Sequence, residues 1–240
     1  MTEAQELRSA IIGLVGFAAA EEQMLLAAAP ADEAGDPRCW AALPVIAHNT
    51  ESKRQQVLRL QAVRLGQVPP EFAEIDHASA QTYRGYAAIP AHEVAEDSSR
   101  VTGELVDGLN SVGDGDLRDP SRHQWLRGRE LWLQIIVRGF WHPTGHLGEY
   151  YLAHAQPARA LALAMHAVAT ASYLGAPDPA RGMASYNLAC VQARANLPDQ
   201  AVAALGEAIR LNPDVRANAR RDRDLAAPRG SGRLEAMLTP

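Results

Sequence analysis

The chain is predicted to be all-α. Helical periodicity recurs along most of its 240 residues, strand-like alternation is scarce, and short Pro-, Gly- and Asp-rich breaks part the periodic segments. Four such segments, with one long crossover among them, predict a four-helix bundle over residues 1–156, and a shorter helical extension occupies 157–240. Apolar residues make up 47% of the chain, enough to build a core, so wholesale disorder is not expected.

The first helix is expected over residues 3–28, with Leu7, Ile11, Leu14, Ala18 and Leu25 on one stripe, and PADEAGDP (30–37) ends it. The second is expected over 42–66, closing at Gly66. Advancing about 100° per residue from Trp40 puts positions 44, 48, 51, 55, 58, 62 and 65 in one sector. That sector carries His48, Glu51 and Gln55 before turning apolar at Leu58, Ala62 and Leu65. Pro44 fits only in a first turn. Residues 67–89 read as an irregular crossover. A third helix follows over 90–112, with Val94, Val101, Leu105 and Leu109 inward, and GDGDLRDP (113–120) reads as a loop. The fourth helix, 121–155, carries Trp125, Leu131, Trp132, Ile135, Ile136 and Phe140.

That fourth helix contains WHPTGHLGEYY (141–151). His142 and His146 are four apart, so their rings stack on one helical face, and they continue the inward stripe of Ile135 and Gly139. Two imidazoles facing a bundle interior need partners, since burying a polar ring unsatisfied costs about 1–3 kcal/mol. His48, on the inward sector of the second helix, can join them. Three neutral imidazoles with an open fourth position suit a divalent transition metal, Zn before Ni or Fe. A proline inside a helix costs about 3 kcal/mol, so Pro143 between the two histidines predicts a kink that aims them, or a freed carbonyl. Glu149, three residues after His146, can orient a ligand imidazole, and Glu51, one turn after His48, can act as a general base. The other histidines, at 77, 92, 123, 154 and 166, have no paired spacing and read as surface or capping residues.

These residues resemble a known family. WAALPVIAH (40–48) is similar to the W-x7-H entry to the second helix of DinB-like four-helix bundles. HPTGHLGE (142–149) resembles the H-x3-H-x-G-[QE] signature of the last helix. The resemblance spans residues 1–156. It implies a divalent metal held by His48, His142 and His146, and a reaction of a small electrophilic molecule. The reaction implied is thiol transfer, with a low-molecular-weight thiol as co-substrate, or hydrolysis, in detoxification or self-resistance. The resemblance also implies a homodimer. The departures from the pattern are Pro143 and Gly145, which replace ordinary helix formers.

Beyond Gln156, alanine rises and aromatics thin out. An Ala-rich helix is expected over 158–175. Residues 182–213 resemble a tetratricopeptide unit, with Gly182, Leu188, Ala189, Ala201, Leu205, Ala208 and Pro213 at its characteristic small, large and terminating positions. The tail DRDLAAPRGSGRLEAMLTP resembles the ending that closes such units. One unit offers little concave surface, so a structural cap is preferred over an adaptor that recruits a protein partner.

Net charge is −5 with no basic stripe, which argues against nucleic acid as partner. No run of 18 apolar residues predicts a membrane span. The AIIGLVGFAAA stretch lacks the flanks of an export signal. Cys39 and Cys190 make no disulfide framework, and two buried thiols in the cytoplasm are expected. The partner expected is therefore a small-molecule substrate, either turned over at the metal or, alternatively, sequestered without catalysis.

Overall fold

A computed structural model of the chain describes residues 3–30, 33, 35, 39–72, 80–226 and 238. The described residues are all-α. Their helices are α1 Glu3–Ala28, α2 Ala42–Arg64, α3 Ala80–Ala87, α4 Ala91–Ser111, α5 Asp114–Arg118, α6 Leu131–Ile136, α7 His142–Ala153, α8 Pro157–Tyr173, α9 Asp178–Arg194, α10 Pro198–Leu211 and α11 Val215–Ala219. The chain forms two compact units, Met1–Tyr150 and Tyr151–Pro240.

In the first unit α2 and α1 both pack on α4, and α1 and α2 meet the turn that joins α6 to α7. Val94, Val101, Leu105 and Leu109 of α4 are all buried, as their spacing predicts. Each such side chain contributes about 1.5–3 kcal/mol relative to leaving it in water. The inner stripe of α1 is Leu7, Ile11, Val15, Ala18, Glu22 and Leu25, so Val15 is inside where Leu14 was expected, and Leu14 is only half-buried. By length and composition alone α1 could also cross a membrane from Gln5 to Ala28, but a core helix passes the same test, and this one buries that stripe.

Helix α2 begins at Ala42, which puts Pro44 in the first turn. Its capping position, Ala41, has no side chain to offer, and Glu33 takes over by accepting the Ala42 N–H at 2.7 Å. Gly66, at φ +66°, ends the helix. Gln67 N–H donates to Ala62 O, and Gly66 N–H to Val63 O, the paired bonds of a left-handed helix stop. The inner face of α2 departs from expectation. Leu58 and Leu65 are exposed (39% and 61%), whereas Ser52, Lys53, Gln56, Val57 and Leu60 are buried. Lys53, the only lysine of the chain, is fully buried with Glu22: its Nζ donates to Glu22 Oε2 at 2.6 Å and to Thr102 Oγ1 at 3.2 Å. Ser98 Oγ donates to the same carboxylate at 3.2 Å. A buried ion pair has displaced part of the apolar stripe.

Three further segments depart from expectation. The crossover contains a helix, α3, and its residues 73–79 lie outside those described. Residues 113–120 fold into α5, whose first turn closes when Gly113 N–H donates to the Asp116 carboxylate at 3.1 Å. The fourth long helix starts at Leu131 rather than 121, because Arg127 and Gly128 adopt left-handed backbone conformations (φ 54° and 80°) that no helix can pass through.

In the second unit α9 packs against α8 and α10. Ala189, Ala201, Leu205 and Ala208 form its core together with Tyr186, Val215 and Leu225. Gly182 sits where helices approach closely: a Cβ there would lie 2.6 Å from Asn212 Cβ and 2.9 Å from Asn212 N. Residues 227–237 of the tail, and His77, lie outside the described residues. Cys39 and Cys190 are half-buried rather than buried, and neither forms a disulfide.

Candidate metal centre

Pro143 dictates the local geometry of the histidine segment. Its ring removes a backbone donor and would crowd the carbonyl four residues back. The chain responds with a π-turn over Val137–Trp141, in which His142 N–H reaches back five residues to Val137 O. In that register the next donor would be residue 143, bonding to Arg138 O. Proline has no N–H to give, and the hydroxyl of Ser52, from α2, donates to Arg138 O at 3.3 Å instead. One turn earlier, Asn49 Nδ2 donates to Pro143 O at 3.4 Å. Thr144 Oγ1 donates to Phe140 O at 2.8 Å and supports the turn from within. Gly139 lets the turn sit close to its neighbours, since a Cβ there would lie 3.2 Å from Val15 Cγ2 and 3.4 Å from Leu105 Cδ2. The expected kink is thus a π-turn clasped by the polar side chains of α2.

This clasp brings the three histidines together. His48 is 1% exposed, and His142 and His146 are half-buried. Ring centroids are 4.9 Å apart for His48–His142, 4.7 Å for His48–His146 and 4.5 Å for His142–His146. One nitrogen from each ring lies within 4.8 Å of the others. His48 Nε2 and His142 Nε2 are 3.0 Å apart. Two nitrogens at about 2.0–2.1 Å from one zinc are about 3.3 Å apart in tetrahedral geometry, so this pair needs to spread by only a few tenths of an ångström. Without an ion, one of these two nitrogens must carry a proton for the other to accept.

The third ligand candidate has its tautomer set from outside. His146 Nδ1 lies 3.2 Å from Glu149 Oε2. An ionised carboxylate only accepts, so Nδ1 carries the proton and a neutral ring offers Nε2 as a lone-pair donor. The aromatic surroundings fix His48: Trp40 meets it edge-on at 5.6 Å and Tyr86 at 5.8 Å. Tyr83 and Tyr86 of α3 both pack on Trp40. Glu33 links the two histidine-bearing helices, accepting from Ala42 N and, at 2.7 Å, from Tyr150 OH.

Glu51 lies one turn beyond His48 and pairs with Arg54 at 3.1 Å, on the wall of a cleft that Tyr86 also lines. Burial and the Glu51 charge push the Tyr86 phenol up to about 12, so it stays protonated at neutral pH. Sequence reasoning missed Ser52, Asn49 and Tyr86. The first two are small polar residues without a motif, and the third lay in a segment read as irregular.

A second group with ligand-type atoms, Cys190, Asp222 and Asp224, occurs in the other unit. Here hydrogen bonding accounts for the cluster: Tyr186 OH and Cys190 Sγ both point to Asp222 Oδ2, and Arg194 lies 3.7 Å from Asp224. Burial, with Asp222 next in importance, pushes the Cys190 thiol well above its ordinary range, the opposite of an activated nucleophile.

No family model, curated protein or solved structure matches the chain.

Proposed function

We propose that the chain is a metal-dependent enzyme acting on a small electrophilic molecule, in the manner of the DinB-like bundles that its histidine motifs resemble. The observation that carries this reading is the convergence of His48, His142 and His146 from two helices onto one point, with their donor nitrogens within 4.8 Å of one another. The donor set fits a divalent ion, with zinc preferred over nickel or iron: three imidazoles, one of them held in its ligating tautomer by Glu149, and no fourth ligand grouped with them among the described residues. Such an ion, when bound, lowers the pKa of a coordinated water or thiol toward neutrality.

The residues of the chain supply the rest. Ser52 and Asn49 hold the π-turn so that His142 faces His48. Trp40 and Tyr86 shield His48 from water and fix its ring plane. Tyr86, protonated at neutral pH, can donate a hydrogen bond to an oxygen that gains charge during attack. Glu51, ion-paired with Arg54 on the cleft wall, is the candidate proton acceptor on that side.

The test is turnover by full-length protein, stripped of metal and then reloaded with zinc, nickel or ferrous ion. A panel of activated electrophiles is offered with water alone, and then with a small thiol. Activity that needs the metal and disappears in His48→Ala and His142→Ala supports the proposal. Metal-dependent binding without turnover would instead make the protein a sequestering one.

A further inference from the structure

Beside the histidine cluster, α2, α4 and Tyr86 enclose a cleft of about 510 Å3, within the range of small-molecule sites. Tyr86 forms part of its wall and rests its ring against His48, so cleft and histidine cluster share one side chain. None of the three histidines lines the cleft, and its α4 residues, unlike Glu51 and Tyr86, are suited to hold a part of a ligand remote from the reacting atoms.

The charges of the cleft discriminate among ligands. Four carboxylates, Glu51, Glu93, Glu96 and Asp97, face two guanidiniums, Arg54 and Arg100, leaving a formal excess of two negative charges. Both guanidiniums are already committed. Arg54 is paired with Glu51 and Asp97, and Arg100 with Asp97 and Glu104. An anionic ligand would meet guanidiniums whose charge is already offset by Glu51, Asp97 and Glu104. Glu93 and Glu96 are exposed at the rim, three residues apart on α4. The N-terminus of α4 explains a carboxylate at Glu93, which lies in its first turn, but this effect fades beyond that turn and does not explain Glu96.

We infer that this cleft is the recognition subsite for a cationic, amine-bearing group of a small organic molecule, with Glu93 and Glu96 as its counter-charges. The inference rests on the proposed metal chemistry only for what happens to the rest of that molecule; binding of the amine stands on the cleft alone. The Tyr86 phenol supplies a hydrogen-bonding group, and Ile89 and Val94 supply apolar contact for the ligand stem.

The test compares three probes of one shape, 2-phenylethylamine, 2-phenylethanol and 3-phenylpropionate, titrated into the full chain by calorimetry and ligand-observed NMR at low salt. Exposed charge pairs are weak, about two- to fivefold in affinity each, so the amine should bind about tenfold more tightly than the alcohol. The propionate should bind more weakly than either. Glu93→Gln/Glu96→Gln should abolish the preference without altering the melting temperature by more than a degree or two, and added salt should shrink it. A Glu207→Gln control, in the other unit, should leave it intact. Equal or tighter binding of the propionate, an unchanged preference in the double variant, or no binding of any probe would overturn the inference. Zinc titration of the same samples separates the two proposals. Zinc binding without amine preference removes the cleft assignment alone, and amine preference without zinc binding removes the metal centre alone.

Discussion

Replacing Lys53 by Met tests the most unusual feature of the core. The side chain is fully buried, and its Nζ lies 2.6 Å from Glu22 Oε2, itself fully buried. Methionine keeps the length and apolar stem but removes the charge and both hydrogen bonds, to Glu22 and Thr102. Glu22 is then left with Ser98 as its hydrogen-bond donor, and its Oε1 has no partner among the described residues even in the parent protein. Breaking a buried pair by removing one partner costs about 3–5 kcal/mol, because an uncompensated charge stays behind. With a urea dependence of about 1–3 kcal/mol per molar, the unfolding midpoint should fall by roughly 2 M. Lys53→Met/Glu22→Leu removes both charges and should recover most of that loss, since apolar replacement of a whole buried pair is often neutral or stabilising. The assay is urea unfolding followed by circular dichroism. A single variant that loses less than about 1 kcal/mol, or a double variant no better than the single, would refute the ion-pair reasoning.

Other expectations follow from the same contacts. Ser52→Ala removes the hydroxyl that serves Arg138 O, which should cost about 1–3 kcal/mol in unfolding experiments and weaken metal binding as His142 loses its aim. Glu149→Ala frees the His146 tautomer and should weaken metal binding about 10–100-fold in a competitive chelator titration. Gly182→Ala places a Cβ 2.6 Å from Asn212 Cβ and should destabilise the second unit by about 1–3 kcal/mol; an unchanged melting temperature would show that the close approach is relieved at little cost. Cys190, raised by burial and then by Asp222, should react with a maleimide far more slowly in folded than in unfolded protein at pH 8, and Asp222→Asn should accelerate it. Because the folded thiol holds its proton more tightly than the unfolded one, its contribution to stability is full below about pH 8.5 and is lost as pH rises above that value.

Much of the fold was legible where apolar periodicity was the physical cause. Helix α4 shows this best: its apolar set, Val94, Val101, Leu105 and Leu109, is its buried set apart from Ser98. Helix α2 defeated the same reasoning because its interior face is built from Asn49, Ser52, Lys53 and Gln56, which no hydrophobicity pattern marks as buried. The positions taken instead as apolar, Leu58 and Leu65, are exposed. Helices α3 and α5 are only eight and five residues long, too short to display a periodic stripe. The three histidines could be found from their spacing and their motif resemblance. What orders them could not, since it depends on a donor that Pro143 lacks and on a hydroxyl supplied 86 positions away in the chain. Pro143 itself was the visible clue that the backbone there departs from an α-helix.

The most direct measurement is the metal content of full-length protein, expressed without a metal-affinity tag, with His48→Ala and His142→Ala prepared alongside. A converging triad predicts about one equivalent of zinc, or of nickel or iron, per chain, with most of it lost in either variant. Less than about 0.1 equivalent in the parent, after the protein has been offered each metal in turn, would contradict it, as would full occupancy in both variants.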